Sequence, residues 1–316
     1  MPDMPLLAIC LPTYNRAYLL EPMLEKLCPI CNKLSIPVYI SDNCSTDNTQ
    51  EIIKKYSDKC EIHNIRQETN IGPDANFEYL IRNAQSKYKW LLSDSIVIHE
   101  DQTRSLIERL SKNEDFDFVV VGVRIRTNAY PDETIYTDAN ELLKDIGWHM
   151  TTNQSLIYSD KVVSDLQFRR FYNSNFLQTG IIFEYIAGRN FSCLFYNVVK
   201  SDGLGIQKKG DWSGETLEYF CKRWFLFVMS LPVSYKIENK LTCIMAHGVK
   251  SSLFSKKNLV YLREKKIITL RKLIKHKVYL KYTMEYRRFA FAICFVPAWL
   301  ISVSIKIAKK IYHAAR

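Results

Sequence analysis

Three polar clusters, each directly behind an apolar run, hold the side chains best placed to do chemistry in this chain. Thr13-Tyr14-Asn15-Arg16 follows Leu6–Leu11 and Pro12, Ser41-Asp42-Asn43 follows Pro37–Ile40, and Ser93-Asp94 follows Tyr88–Leu92. An ionised carboxylate only accepts hydrogen bonds, so Asp42 and Asp94 suit ligand N–H groups or hydroxyls. A single aspartate behind a strand is ordinarily a helix cap. Three clusters brought to one end of one sheet would instead make a ligand site.

The elements that must carry these clusters follow from the apolar spacing. Leu6–Leu11 predicts a strand, and an amphipathic stretch to about Leu27 predicts a helix. Pro37–Ile40 reads as a second strand and Glu61–Arg66 as a third, with a helix between them capped by Thr46 or Asp47. Asp74–Gln85 reads as a helix, Tyr88–Leu92 as a fourth strand, Asp101–Leu110 as a helix and Phe116–Val123 as a strand. Alternation of this kind predicts an α/β fold, in which ligands bind beyond the carboxyl ends of parallel strands. From Arg124 to Lys250 the pattern is less regular, and Leu241–Met245 reads as a further strand.

Composition excludes several classes. Only 10 of 316 residues are glycine, well below an average of about 7%. Neither a dinucleotide-binding G-x-G-x-x-G nor a P-loop is present, and a missing glycine-rich phosphate loop also disfavours nucleotidyl transfer. Nine cysteines at irregular spacing predict reduced, intracellular thiols. The lone Cys28-Pro29-Ile30-Cys31 reads as ordinary buried thiols, because it has no second pair and no nearby histidine.

The strand-end motifs also carry a resemblance. Ile9-Cys10-Leu11-Pro12-Thr13-Tyr14-Asn15-Arg16 and Ile40-Ser41-Asp42-Asn43-Cys44-Ser45-Thr46-Asp47-Asn48-Thr49 resemble the opening of family 2 glycosyltransferases. Asn70-Ile71-Gly72 with Asn76, then Tyr88-Lys89-Trp90-Leu91-Leu92-Ser93-Asp94, is similar to the abequosyltransferase-like branch. The resemblance covers residues 6–123 and implies the GT-A fold, a Rossmann-like and mostly parallel central sheet flanked by helices. It implies a nucleotide-sugar-binding half over 1–125, with an acceptor-side half over 126–254, and the charge count sets off a basic helical tail over 255–316. Pro12, Thr13, Tyr14 and Arg16 would hold base and ribose, Asp42 the base, and Asp94 the ribose, with Asn43, Asn70, Gly72 and Ser95 beside them.

The resemblance implies two further roles. The family places a Mg²⁺ or Mn²⁺ ligand after the ribose-binding acid, where this branch reads approximately G-D-D-D. Here the sequence is Ser93-Asp94-Ser95-Ile96, so Ser95 stands at the metal position. Three arrangements follow: Asp94 serves the metal with Glu100, Asp101 or His247; basic side chains replace the cation; or the chain binds a nucleotide sugar without transferring it. An inverting transfer also needs a carboxylate base. Asp211, in Lys209-Gly210-Asp211-Trp212-Ser213-Gly214-Glu215, fits that role, with Glu215 and Glu184 as alternatives.

The charge is uneven. Residues 255–316 carry 16 Lys/Arg against Glu264 and Glu285, leaving 28 Lys/Arg and 31 Asp/Glu for residues 1–254. Leu259, Leu262, Leu270, Leu273, Leu280 and Met284 recur near helical spacing, and Phe289–Ile305 is uncharged but interrupted by Pro297. This predicts a helix pair lying in or dipping into the interface of an anionic leaflet, with a membrane span or a core or dimer helix as the alternatives, rather than nucleic-acid binding. The expected partners are therefore a nucleotide-sugar donor, a lipid-linked or surface-polysaccharide acceptor of the O-antigen type, and the membrane surface contacted by 256–316. The expected place is the cytoplasmic side of the cell membrane, held peripherally.

Overall fold

Four parallel strands put the carboxyl-terminal motifs side by side. They are β1 (Leu7–Thr13), β2 (Val38–Asp42), β3 (Ile62–Arg66) and β4 (Tyr88–Leu91). β1 pairs with β2 and β4, and β2 with β3, all in parallel. Thr13 lies opposite Asp42 and Asp42 opposite Arg66, so these strands end at one level. The computed structural model describes residues 4–123, 126–206 and 212–304.

Among the described residues the sheet continues through β5 (Ile96–Val97), β6 (Phe118–Val123), β7 (Glu133–Tyr136), β8 (Leu156–Ser159) and β9 (Cys193–Gly203). The order is β3-β2-β1-β4-β8-β6-β9-β5, with β7 also on β9. β8 runs antiparallel to both β4 and β6, while β6 and β9 are parallel. The return half therefore mixes strand directions, where the first half is purely parallel.

Helices α1 (Ala17–Leu34), α2 (Thr49–Ser57), α3 (Pro73–Asn83) and α4 (Glu100–Leu110) connect the first strands. α1 passes through Pro22 and Pro29 and runs beyond the expected end near Leu27. Each interior proline removes one backbone hydrogen bond, but the apolar face continues through Leu24, Leu27, Cys28 and Cys31, all buried. That burial keeps the helix intact until Ser35 closes it in the left-handed conformation, at φ 53°. Cys28 and Cys31 lie in the core with Leu20, Ile53 and Cys60.

The described residues form two compact units: 4–142 with 149–206, and 143–148 with 212–304. The second is helical. Ile237–Lys250 is a continuous helix, so the strand expected over Leu241–Met245 is incorrect. A short apolar run does not distinguish a buried strand from a buried helical turn. Here Lys240, Cys243, Ile244, His247 and Gly248 are buried together at helical spacing. A Cβ on Gly248 would lie 2.1 Å from the Thr283 carbonyl oxygen, which shows how closely the helix Leu270–Thr283 approaches.

Described residues 255–304 contribute to the core of the second unit. Leu259, Leu262, Leu273, Leu280 and Met284 share a core with Leu217, Cys221 and Phe254. The spacing correctly marks their helical face, and the structure shows that this face is spent inside the second unit.

Candidate functional site

The loop after β1 is clasped to the loop after β2. Asn15 stands at φ 50°, a left-handed conformation that asparagine tolerates. Its N–H donates to Ser45 Oγ at 2.9 Å, and its side-chain oxygen accepts from the Thr46 N–H at 2.7 Å. Asp47 ties two helix starts together, accepting from the Ala17 N–H at 3.0 Å and the Thr49 N–H at 3.1 Å. Burial pushes the Asp47 carboxyl upward, but the Thr49 hydroxyl and these amides outweigh it and hold the group below its ordinary value. Helix N-termini supply such N–H donors and favour negative charge.

Asp42 is fully buried, and both of its oxygens are used. Oδ1 accepts from the Ser45 N–H at 2.9 Å and Oδ2 from Gln50 Nε2 at 2.6 Å. Its neighbour Asn43 faces a cleft instead. Asn43 Nδ2 donates to Asn70 Oδ1 at 2.9 Å, and Asn43 Oδ1 accepts from the Ile71 N–H at 2.9 Å. Asp42, the expected base contact, braces the loop and is not among the residues that line the cleft, whereas Asn43 is.

That cleft has a volume of about 480 Å³ and lies at the carboxyl edge of β1, β2 and β4. Pro12, Thr13, Tyr14 and Arg16 form one wall, and Asn43 and Asn70 another. Ser93 and Asp94 close it from behind β4, and Pro73, Asn76, Phe77 and Asn153 complete it. The Thr13 hydroxyl is buried with no hydrogen-bond partner among the described residues, and a buried polar group of this kind calls for a partner. Tyr14, 41% exposed, offers a ring at the rim.

Of the nucleotide-site residues expected from the motifs, Asp42, Gly72 and Ser95 do not line the cleft. Gly72, at φ 85°, has open space where a Cβ would sit, so backbone conformation rather than close approach requires glycine there. It precedes Pro73, which starts α3. Ser95 is buried, its hydroxyl 3.0 Å from that of Ser93 and its carbonyl bonded by the Leu204 N–H. Pro73, Asn76 and Phe77 line the cleft without standing among the expected site residues, although a signal exists. They lie three and four residues apart on α3, one helix face, and Asn76 belongs to the Asn70-Ile71-Gly72 motif. Asn153 comes from a turn far along the chain, and no local pattern announces it.

Asp94 is the cleft's carboxylate. Arg16 Nη1 donates to its Oδ1 at 3.2 Å, with the carboxylate buried and the guanidinium about half exposed. Asp94 is the cleft-lining carboxylate that a Mg²⁺ or Mn²⁺ ion could meet; it is paired with Arg16, and Ser95 is not among the lining residues. Such an ion can be held by one or two carboxylates together with substrate phosphates. Among the described residues no group of three His, Cys, Asp or Glu side chains could hold a metal. Glu100 is paired with Lys33 at 2.7 Å and Arg104 at 3.0 Å. His247 is buried in the second unit, its ring stacked on Phe220 at 4.9 Å.

None of the candidate bases is among the described residues that line the cleft. Glu184, on the first-unit helix Leu177–Tyr185, is bound by Arg170 and lines no part of the cleft. Glu215 is exposed at the end of the 3₁₀ turn Trp212–Glu215 of the second unit. Asp211 lies outside the described residues.

A nucleotide-sized cleft at the carboxyl edge of a Rossmann-like sheet that continues into mixed strands defines the GT-A class of fold, and solved structures agree. The chain superposes on S. aureus TarS 1-349 in complex with UDP-GlcNAc with a TM-score of 0.54 and 14% identity, covering 96% of this chain and 92% of that one. It superposes on the mannosyltransferase PcManGT from Pyrobaculum calidifontis, solved with GDP-Man and Mn²⁺, with a TM-score of 0.56 and 14% identity, covering 96% and 87%. The glycosyl transferase family 2 profile matches residues 8–167, so the chain belongs to that family. Abequosyltransferase RfbV of Salmonella typhimurium is 30% identical over 157 residues, which are 45% of this chain and 46% of the relative. The chain thus matches about half the length of that relative.

Proposed function

We propose that this chain transfers a hexose or deoxyhexose from a nucleotide-sugar donor to a lipid-linked or surface-polysaccharide acceptor. The supporting observation is the convergence of Thr13, Tyr14, Arg16, Asn43, Asn70 and Asp94 on one cleft of about 480 Å³. That volume is in the usual range for small-molecule sites, roughly 300–1,000 Å³. The Tyr14 ring stacks on the base, the Asn43 and Asn70 amides meet its polar edge, and the Thr13 hydroxyl gains the partner it lacks. Asp94, oriented by Arg16, accepts from ribose hydroxyls.

Transfer inverts the anomeric carbon. A carboxylate, Asp211 in this proposal, takes the acceptor's hydroxyl proton as that oxygen bonds to the anomeric carbon. The bond from that carbon to the diphosphate oxygen breaks, and the nucleoside diphosphate leaves with the electron pair. Its developing charge needs a preorganised counter-charge, and Arg16 has guanidinium donors beyond the one on Asp94. No step is assigned to a divalent cation.

An O-antigen-type acceptor on a membrane fits the basic second unit, and the cytoplasmic face of the cell membrane is the proposed location. A second reading, nucleotide-sugar binding without transfer, draws on Ser95 and Ile96 and on the pairing of Asp94 with Arg16. Uridine, cytidine, guanosine and thymidine diphosphate sugars, each with and without Mn²⁺, separate the two. Calorimetric binding together with release of nucleoside diphosphate onto an acceptor supports transfer. Binding with no release under any of these conditions supports the second reading.

A further inference from the structure

The second unit hides most of its apolar residues and displays one group of them. Helices Lys256–Glu264 and Leu270–Thr283 bury Leu259, Leu262, Leu273 and Leu280. The following pair, Arg287–Ile293 and Ala298–Ser304, bends by 99° at the break between its helices. Its inner side is anchored, because Ala290, Ile293 and Ile301 are buried in the same core. Its outer side is apolar and uncovered: Phe295 is 75% exposed and Trp299 66%, with Val296, Leu300 and Val303 each at least 39% exposed.

The bend is held from outside the pair. The Arg263 guanidinium donates to the carbonyl oxygens of Cys294 at 3.3 Å and Val296 at 3.0 Å. Pro297 cannot return an N–H to this turn, so these donors satisfy backbone groups that the break releases. The apolar tip is therefore a fixed feature rather than a frayed helix end.

From Phe289 to Ser304 there is no charged residue, whereas described residues 255–304 hold 12 Lys/Arg against Glu264 and Glu285. An apolar tip within a basic helical unit matches an anionic lipid surface, which takes the rings and attracts the cations. A second copy of this chain would bring a segment of like net charge. Among the described residues no single helix is long and apolar enough to cross a bilayer, and the 99° bend suits shallow entry. We infer that Phe295, Val296, Trp299, Leu300 and Val303 form a wedge that inserts into the interface of an anionic phospholipid bilayer, with Arg263 holding its shape. The inference rests on the membrane location proposed above and names its contact; it does not require sugar transfer.

The test uses the full chain with vesicles of phosphatidylglycerol and phosphatidylcholine, and with phosphatidylcholine alone. Wild type should co-sediment with the anionic vesicles, and acyl-brominated lipid should quench a component of tryptophan emission that Trp299→Phe removes. Phe295→Asp combined with Trp299→Asp should lower the vesicle partition coefficient at least tenfold. Val233→Asp, at an exposed apolar position outside the wedge, should leave it unchanged. Far-UV dichroism and UDP binding of the double variant, compared with wild type, separate loss of the wedge from loss of fold or of the cleft reading. Wild type that ignores anionic vesicles, a double variant that binds them like wild type, or a wedge-dependent dimer without lipid overturns the inference.

Discussion

The cleft wall of the first unit and the bent apolar pair of the second both present groups without a partner, but of opposite kinds. In the cleft the lone group is the Thr13 hydroxyl, polar and buried, so it needs a hydrogen bond. At the bend the lone groups are Phe295 and Trp299, apolar and exposed, so they need removal from water. A buried unpaired hydroxyl costs about 1–3 kcal/mol, and exposed apolar area about 25 cal/mol per Å². The unmet need at each place indicates the ligand: a hydrogen-bonding small molecule in one case and an apolar phase in the other.

The largest expected effect tests the polar side of that contrast. Asp94→Ala should weaken binding of the preferred nucleotide sugar roughly 10- to 100-fold by calorimetry, the range for a charge-assisted hydrogen bond. Unchanged affinity would remove the cleft from the proposal. Gly248→Ala should destabilise the protein by about 1–3 kcal/mol, because the added methyl meets the Thr283 carbonyl at 2.1 Å. Nucleotide affinity of the folded protein should not change, and a matching loss would mean that the contrast between units is drawn wrongly.

Asp42 and Asn43 sharpen the contrast within one loop. Asp42→Ala should lower the melting temperature, costing about 1–3 kcal/mol as the Ser45 N–H and the Gln50 amide lose their acceptor. Asn43→Ala should leave stability nearer wild type and weaken nucleotide binding severalfold. Exchange of those two phenotypes would restore Asp42 as the base contact.

His149 provides a pH handle on the first unit. Complete burial, then the nearby Arg126 charge, lowers its pKa from 6.5 to about 3, although its bond with the Val121 carbonyl acts the other way. Between those values the unfolded chain takes up a proton that the folded chain refuses, so stability falls as pH falls through that window. The slope should approach about 1.4 kcal/mol per pH unit at most. Denaturant titrations of His149→Gln should show a flatter acid limb, and identical slopes would reject the assignment.

The smallest effect is also diagnostic. Thr13→Val keeps the shape and removes the lone hydroxyl, so stability should hold or rise slightly. Nucleotide binding should weaken by about 0.5–1.5 kcal/mol. Weaker folding with unchanged binding would mean that the hydroxyl has a partner within the protein.

Much of this was legible in the order of residues. Apolar runs ending in polar clusters marked β1, β2 and β4, because a strand buried on both faces must be almost wholly apolar. Family membership was legible for the same reason, since the motifs sit at strand ends where the fold needs them. Leu259, Leu262, Leu273 and Leu280 marked a helical face by their spacing alone. The charge contrast between residues 1–254 and 255–316 required only counting.

Other features depended on neighbours distant in sequence. Whether Asp42 or Asn43 faces the cleft turned on Gln50, Ser45 and Asn70, which saturate one side chain and position the other. Leu241–Met245 belongs to a helix whose buried residues recur at helical spacing, with Gly248 set against the Thr283 backbone. Which apolar residues of the second unit stayed uncovered was set by Arg263 at the bend and by a core already filled by Leu217, Cys221 and Phe254. Local pattern determines which element a segment prefers and which residues share its face. Only the tertiary structure decides what that face meets, because burial and hydrogen-bond satisfaction belong to the folded assembly and not to any one segment.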